Sequence, residues 1–163
     1  MTGPMPGRPL AGRPMTGQVW WREPVLPEWI DYNGHLSEPY YVLVLGHATD
    51  AVMDAIGLDA AHRTGTGTSL FTVEAHVRYL DQVGPDAVLE TRSSLIGCTA
   101  KALWIWHELW VDGTLRATEE ILGLHVDTRT ARATPFPDPI RAAIEERLVE
   151  PPPSAGRRIS LHR

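Results

Sequence analysis

Apolar residues recur at helical spacing in the segment that follows Ser37. The apolar stripe consists of Tyr41, Leu45, Ala48, Val52 and Ile56. Ser37 suits the N-cap position and Gly57 suits a helix end, so the pattern predicts a helix between them. Most positions between the stripe residues are apolar as well, which predicts a helix that is enclosed by protein.

A strand pattern replaces the helical one after this point. The stretch RTGTGTS, residues 63–69, predicts a loop. Four segments rich in β-branched and aromatic residues then follow at a regular pitch and span about 70–79, 87–96, 101–111 and 115–126. Their separators are residues typical of turns, namely Gly84-Pro85-Asp86, Gly97-Cys98-Thr99 and Asp112-Gly113. Such short connections predict an antiparallel meander.

Two shorter elements flank this arrangement. A strand is predicted near residues 19–26, and Pro24 and Pro27 restrict it to the edge of a sheet. A final helix is predicted near residues 139–148, with Asp138 as its cap. The chain therefore alternates between one long helix, a set of strands and a short closing helix.

The composition is that of a single globular domain. A chain of 163 residues with 43% hydrophobic content can bury one core, and it is short for two. Residues 1–16 and 151–163 are rich in Pro, Gly and Arg, so we expect two disordered tails. The folded domain is expected to span residues 17–150.

Charge and cysteine content narrow the functional classes. The two tails contain five of the 15 basic residues and no acids, so the middle carries ten basic against 20 acidic residues. This negative domain repels phosphate backbones, which argues against nucleic-acid binding. The single cysteine, Cys98, excludes an internal disulfide and fits a reducing compartment. With no long apolar run, we expect a cytoplasmic protein that does not bind membranes.

The segment 101–111 predicts a protein that associates with copies of itself. Leucine, isoleucine and valine on one face of this strand alternate with Trp104, Trp106 and Trp110 on the other. One face can cover the long helix, which a strand of this length matches at roughly 30 Å. The other face needs a cover from outside the chain, and we therefore expect a homodimer or homotetramer.

The sequence DYNGHLSEPYY, residues 31–41, places potential chemistry just before the long helix. The first-turn amides of a helix are unpaired donors at the positive end of its dipole, and Asp31 lies close enough along the chain to fold back beside them. A carboxylate next to oxyanion donors can hydrolyse an ester or thioester without a metal or cofactor. Asp-Tyr-Asn-Gly is also good turn chemistry, so a purely structural role for Asp31 stays open.

The order of strand, Asp-x-x-Gly loop, buried helix and antiparallel strands resembles the α+β hotdog fold, in which a curved antiparallel sheet wraps a long central helix. The loop resembles the active-site segment of 4-hydroxybenzoyl-CoA-type thioesterases. The segments VLPEWIDYNGH, ATDAVMDAIG and FTVEAHVRYLDQV are similar to betainyl-CoA thioesterases associated with carnitine dehydrogenase. The resemblance covers nearly all of residues 19–130 and implies an acyl-CoA substrate.

The resemblance also implies roles for individual residues. Asp31 would be the nucleophile or general base, and Gly34 the motif glycine. The backbone amide of Glu38 would polarise the thioester carbonyl. From its own chemistry, Asn33 is a candidate for orienting water or the carboxylate, although an Asn before Gly often only makes a turn. His35 is likewise a candidate for orienting Asp31 or contacting substrate, and a histidine bonded only to backbone is the alternative.

Other candidate residues lie further along the chain. Tyr41 is a candidate for substrate binding at the start of the helix. Glu74 and His76 share one face of their strand and complete the site if that strand lies at a subunit interface, as it does in the hotdog family; a solvated polar face is the alternative. Trp104 and Trp106 suit a cation-holding wall or ordinary dimer packing.

Two other readings of the function stay open. One is an enoyl-CoA hydratase-like enzyme, although such hydratases carry a Pro after the Asn and a His one residue later than this chain does. The other is an acyl-CoA-binding hotdog module without catalytic activity. Serine-elbow, phosphate-loop and His-Glu-x-x-His motifs are missing from the sequence, which sets those three reaction classes aside.

Overall fold

A curved antiparallel sheet wraps a long helix in the computed structural model, which describes residues 18–159 and 161. The strands are β1 Val19–Pro24, β2 Thr68–Tyr79, β3 Val88–Cys98, β4 Ala102–Val111, β5 Thr114–Asp127 and β6 Arg132–Ala133. The helices are α1 Glu38–Ile56, α2 Ala60–Thr66 and α3 Asp138–Glu145. The hotdog architecture predicted from the sequence is confirmed.

The strand order is β1-β3-β4-β5-β2, with β6 paired to β5. The meander prediction is confirmed for β3, β4 and β5, but it is wrong for β2, which pairs with β5 instead of β3. The linker 80–87 crosses the end of the sheet, because Leu80 and Asp81 donate their amides to the Arg116 carbonyl and Val83 is buried. Its length easily covers the separation of about 14 Å that three strand spacings require.

The long helix begins and ends where the sequence signals predict. Ser37 occupies the N-cap position, although its side chain makes no capping hydrogen bond, and Gly57 closes the helix with a φ of 90°. A glycine is favoured there because side chains clash in the left-handed region. The predicted stripe is buried. Its C-terminal residues Val52 and Ile56 belong to the same core cluster as Leu95, Leu103 and Ile105 of the sheet.

Strand β4 divides the sheet into two faces. Its residues Leu103, Ile105, Leu109 and Val111 are buried on the face toward α1, which we call the core face. Trp104, Trp106 and Trp110 lie on the opposite, outer face. Trp106 is buried within the chain, and Gly156 comes close to the ring of Trp104. The chain therefore covers part of the apolar face for which the sequence suggested an external partner.

A bulge in β2 breaks the predicted alternation of that strand. The register shifts between Thr72 and Glu74, so Phe71 pairs with Leu124 on the outer face while Ala75 faces the core. Strict alternation along residues 70–79 would place Phe71 and Ala75 on the same face, and the bulge separates them. The shift has a structural benefit, because it turns Leu70 into the core.

Three smaller expectations also need correction. Residues 60–66 form α2 where the sequence predicts in part a loop, since Asp59 caps the turn by accepting the His62 amide. Gly97 and Cys98 continue β3 instead of forming a turn. Helix α3 has Pro137 at its N-cap position, begins at Asp138 and ends at Glu145, before the predicted end near 148.

The predicted tails lie mostly at the limits of the described chain. Residues 1–16 fall outside the described residues. Residues 151–159 form neither helix nor strand, yet the Gly156 amide donates to Glu120 Oε2 at 2.8 Å. The predicted domain boundary at residue 150 stays a prediction. Among the described residues no single helix has the length and composition to cross a membrane. Helices α1 and α2 have that length and composition only when they are taken together, and the pair is bent by 73°.

Candidate active site

The loop between β1 and α1 is closed by its own backbone. The Asp31 amide donates to the His35 carbonyl at 2.8 Å, and the Gly34 amide donates to the Asp31 carbonyl at 3.0 Å. Gly34 adopts a φ of 80°, which explains the glycine at this place in the motif. The buried side chain of Leu36 and its amide bond to the Val83 carbonyl fix the loop to the domain.

The Asp31 carboxylate is held by this loop in an ionised form. Its Oδ1 accepts the amides of Asn33 at 2.8 Å and His35 at 3.3 Å, and the Asn33 side-chain amide lies 3.5 Å from Oδ2. Burial alone would raise the pKa of Asp31, but these hydrogen bonds outweigh it and lower the pKa below its ordinary value. The side chain makes no ion pair with another described residue. Asp31 therefore stabilises the turn of the loop and is also an ionised carboxylate that can act as a base.

The amide of Glu38 has no acceptor among the described residues and is the free donor of the first helical turn within that part of the chain. Glu38 is the first residue of α1, and such an amide has no acceptor within the helix. Pro39 has no N–H, and the Tyr40 amide is bonded to the Ser37 carbonyl at 3.0 Å. The positive end of the helix dipole therefore acts through the Glu38 N–H, next to the loop that carries Asp31.

Two tyrosines support this end of the helix. Tyr41 is buried, and its hydroxyl donates to the Asp81 carbonyl at 3.5 Å. The rings of Tyr41 and Tyr79 meet edge to face, with centroids 5.2 Å apart, and the Tyr79 hydroxyl donates to Glu38 Oε1 at 3.5 Å. Asp81 also forms an ion pair with Arg116. Tyr41 lies beneath the loop, and its predicted contact with substrate stays a prediction.

The structure does not bring the remaining predicted residues to this loop within one chain. Glu74, His76 and Trp104 line a cleft of about 670 Å³ on the outer face, which none of the loop residues 31–38 lines. His76 lies 3.8 Å from Glu120 there. Trp106 is on the same outer face, and its indole N–H donates to Glu108 at 3.3 Å. The roles of these residues in substrate binding stay predictions.

Sequence reasoning did not single out two further residues, Tyr79 and Glu119. Tyr79 ends the predicted strand 70–79, and its contact with Glu38 depends on the pairing of β2 with β5. Glu119 is a buried carboxyl on the core face of β5. A signal for it exists, because Glu119 and Glu120 are consecutive in a strand and one of them must point inward. Within the described ranges no group of three or more His, Cys, Asp or Glu side chains is arranged to hold a metal ion.

A half-barrel sheet around a long helix, with an Asp-x-x-Gly loop at the helix start, defines the class of hotdog-fold thioesterases. The family described as the Thioesterase-like superfamily matches residues 25–144. The chain belongs to this family and is a thioester hydrolase.

Individual relatives sharpen the comparison. The chain is 42% identical over 146 residues to the betainyl-CoA thioesterase of Pseudomonas aeruginosa, which covers 85% of this chain and 91% of that protein. It is also 42% identical over 118 residues to the L-carnitine dehydrogenase/betainyl-CoA thioesterase of Agrobacterium fabrum, covering 72% of this chain and 24% of that longer protein.

Solved structures show the same fold. SAV2348 from Staphylococcus aureus, in complex with CoA, superposes with a TM-score of 0.83 at 22% identity and covers 93% of this chain and 99% of its own. A proposed thioesterase from Pseudomonas putida KT2440 has a TM-score of 0.78 at 34% identity and covers 91% of this chain and 99% of its own.

Proposed function

We propose that the chain hydrolyses betainyl-CoA to betaine and CoA. The choice of betainyl-CoA as the substrate rests on the 42% identity, over most of both chains, to the Pseudomonas aeruginosa betainyl-CoA thioesterase. The loop adds support, since it combines an ionised carboxylate with a free helix amide. We infer a cytoplasmic location from the lone cysteine.

In the proposed reaction, the thioester carbonyl oxygen accepts the N–H of Glu38. Asp31 takes a proton from water as the water oxygen attacks the carbonyl carbon. The tetrahedral intermediate then breaks its carbon–sulfur bond, and Asp31 returns the proton to the departing CoA thiolate. Direct attack by Asp31 through an anhydride, followed by hydrolysis, is the alternative route. A general base supplies roughly 10²- to 10⁴-fold and one oxyanion donor roughly 10²- to 10³-fold.

We propose that the active unit is a homo-oligomer in which β2 meets a second copy. β2 is an edge strand, and both Phe71 and Val73 are exposed on it. The unpaired backbone groups of an edge strand are a ready template for another strand. Pairing there would bring the β2 residues of one copy toward the α1 loop of the other, and Glu74 and His76 are the proposed contributors from the partner.

The test is CoA release from a panel of acyl-CoA thioesters by the wild type, Asp31→Asn and Asp127→Asn. Asp127 is a matched control, because its Oδ1 also accepts two amides of its own turn, from Arg129 and Thr130. We expect Asp31→Asn to lose at least about 10²-fold in kcat and Asp127→Asn to retain wild-type turnover. Undiminished hydrolysis by Asp31→Asn would remove Asp31 from the mechanism.

The same panel separates the competing functions. An enoyl-CoA in the panel that gains water without releasing CoA would indicate a hydratase. Acyl-CoA binding without turnover by the wild type would indicate a binding module. Betainyl-CoA should have the highest kcat/KM in the panel if the proposed substrate is correct.

A further inference from the structure

Glu119 is a carboxyl group that the fold buries on the core face of β5. It pairs in register with Val77 of β2 on one side and with His107 of β4 on the other. Only 4% of its surface is exposed. Glu119 lies one strand nearer to the edge strand β2 than His107, whose Nε2 is 3.1 Å from Thr49 Oγ1 of α1.

No residue of the described chain neutralises Glu119. It has no hydrogen bond or ion pair within residues 18–159 and 161. Its neighbour His107 is already satisfied, because Nδ1 lies 2.7 Å from Ser93 Oγ and Nε2 lies 3.1 Å from Thr49 Oγ1. Burial raises the pKa of Glu119 to about 7 and lowers the pKa of His107 to about 3, so His107 offers no positive charge. A buried acid without a partner requires an explanation.

The surroundings connect Glu119 to the proposed oxyanion donor. Tyr79 lies on the same face of β2, two positions beyond Val77, and its hydroxyl contacts the side chain of Glu38. Burial raises the pKa of the Tyr79 phenol, and the negative charges of Glu38 and Glu119 raise it further. An aromatic ring is thus flanked by two carboxyl groups between the start of α1 and the interior of β5.

On the basis of the proposed thioester hydrolysis, we propose that Glu119 and the ring of Tyr79 bind the quaternary ammonium of the acyl group and select it over neutral acyl groups. A trimethylammonium group donates no hydrogen bond, so it is bound by aromatic faces and by nearby negative charge. In a betainyl thioester the quaternary nitrogen is two bonds from the carbonyl carbon. An acyl group whose carbonyl oxygen meets the Glu38 amide therefore places its charge close to that residue's neighbours.

The experiment compares betainyl-CoA with tert-butylacetyl-CoA, which has the same shape with carbon in place of the charged nitrogen. Both are assayed with the wild type, Glu119→Gln and Glu120→Gln at about pH 8, above the pKa of Glu119. Glu120→Gln is the matched control, since Glu120 is the next residue and lies on the outer face. Thermal unfolding verifies that each variant is folded.

We expect the wild type to prefer betainyl-CoA, and the ratio of the two kcat/KM values to fall about tenfold or more in Glu119→Gln. Glu120→Gln should keep the wild-type ratio. An equal loss for both substrates in Glu119→Gln would show a structural role and overturn the proposal, as would an unchanged ratio.

A binding measurement keeps this inference separate from the proposed reaction. Calorimetry uses the ketone analogue of each substrate, in which a methylene group lies between the carbonyl carbon and sulfur, so no hydrolysis is needed. Weaker binding of the charged analogue alone to Glu119→Gln supports the inference even for a wild type that hydrolyses no thioester. Equal binding of both analogues to the wild type overturns it.

Discussion

At the scale of single residues, the backbone and side chain of Glu38 face different tasks. Its N–H has no acceptor within residues 18–159 and 161, while its carboxylate accepts the Tyr79 hydroxyl. The donor itself can be removed, because proline is tolerated at the first position of a helix and needs an extended residue before it. Ser37 has φ −68° and ψ 144°, which already satisfies that requirement.

We therefore expect Glu38→Pro to fold and to lose roughly 10²- to 10³-fold in kcat, the effect of one oxyanion donor. Glu38→Ala keeps the amide and removes the carboxylate, so it separates the two tasks. Steady-state kinetics on betainyl-CoA measures the difference between the variants. Equal activity of Glu38→Pro and Glu38→Ala would contradict the role of the amide.

Two buried titratable residues act in opposite directions on stability. The pKa of His107 falls from 6.5 to about 3, so its contribution is lost as pH falls, because the unfolded chain takes up the proton first. The pKa of Glu119 rises from 4.5 to about 7, so its contribution is full at low pH and is lost as pH rises. Between about pH 5 and 6, unfolding adds a proton to His107 and removes one from Glu119. The two changes cancel, so together these residues leave the free energy of unfolding nearly independent of pH in this range.

In Glu119→Gln, the effect of His107 on the free energy of unfolding should no longer be cancelled by that of Glu119. We expect its free energy of unfolding to fall by about 1 kcal/mol as pH falls from about 6 to 5, relative to the wild type over the same interval. Urea denaturation at both pH values measures this change, with Glu120→Gln as the control. A pH profile parallel to that of the wild type would mean that Glu119 is not protonated in the folded state.

At the scale of elements, Gly123 shows how β5 accommodates the bulge of β2. Gly123 pairs with Thr72 at the bulge, and a Cβ built there would lie 2.8 Å from Leu70 Cγ. The missing side chain leaves the space that the buried Leu70 occupies. We expect Gly123→Ala to lower the free energy of unfolding by about 1 to 3 kcal/mol through overpacking.

The control is Gly65→Ala in α2, where nothing lies within 4 Å of the new methyl group. A helical position with open space should be neutral or slightly stabilised by alanine. Urea denaturation of both variants tests the argument. If Gly123→Ala were as stable as Gly65→Ala, Leu70 would not depend on the space at Gly123.

These elements also show how far the sequence could predict the fold. The limits of α1 were predictable because Ser37 and Gly57 are local signals. The hairpin at Asp112-Gly113 was predictable because an Asp-Gly pair favours positive φ, and the two residues adopt φ values of 48° and 75°. The pairing of β2 with β5 was not predictable, since turn residues report the geometry of a connection and not which distant strand it reaches. The bulge in β2 likewise leaves no signal in the alternation of side chains.

The candidate site divides along the same line. The residues of the loop are close in sequence, so the proximity of Asp31 to Glu38 followed from local structure. Trp104 and Glu74 lie on the outer face and line a cleft that the loop does not reach. This could not be predicted, because the alternation of side chains tells which residues share a face but not which face holds the site. Glu119 needed the sheet order before its neighbours could be known.

At the scale of the whole molecule, the sheet ends at β2, an edge that the described residues 18–159 and 161 leave unpaired. Phe71 is 47% exposed and Val73 is 53% exposed on β2, whose other side is bonded to β5. β2 also carries Glu74, His76 and Arg78, but its backbone groups on the side away from β5 are a template for another strand. The proposed dimer would pair this edge and place a second copy beside the α1 loop.

Val73→Lys introduces a charge on the exposed edge and should convert the proposed oligomer to monomers, because a buried lysine without a partner disfavours association. Val149→Lys is the control, since Val149 is 37% exposed but lies outside the strands. Size-exclusion chromatography with light scattering gives the mass of each variant. We expect Val73→Lys also to lose thioesterase activity if the partner completes the site. An unchanged mass for both variants would place any association elsewhere than β2.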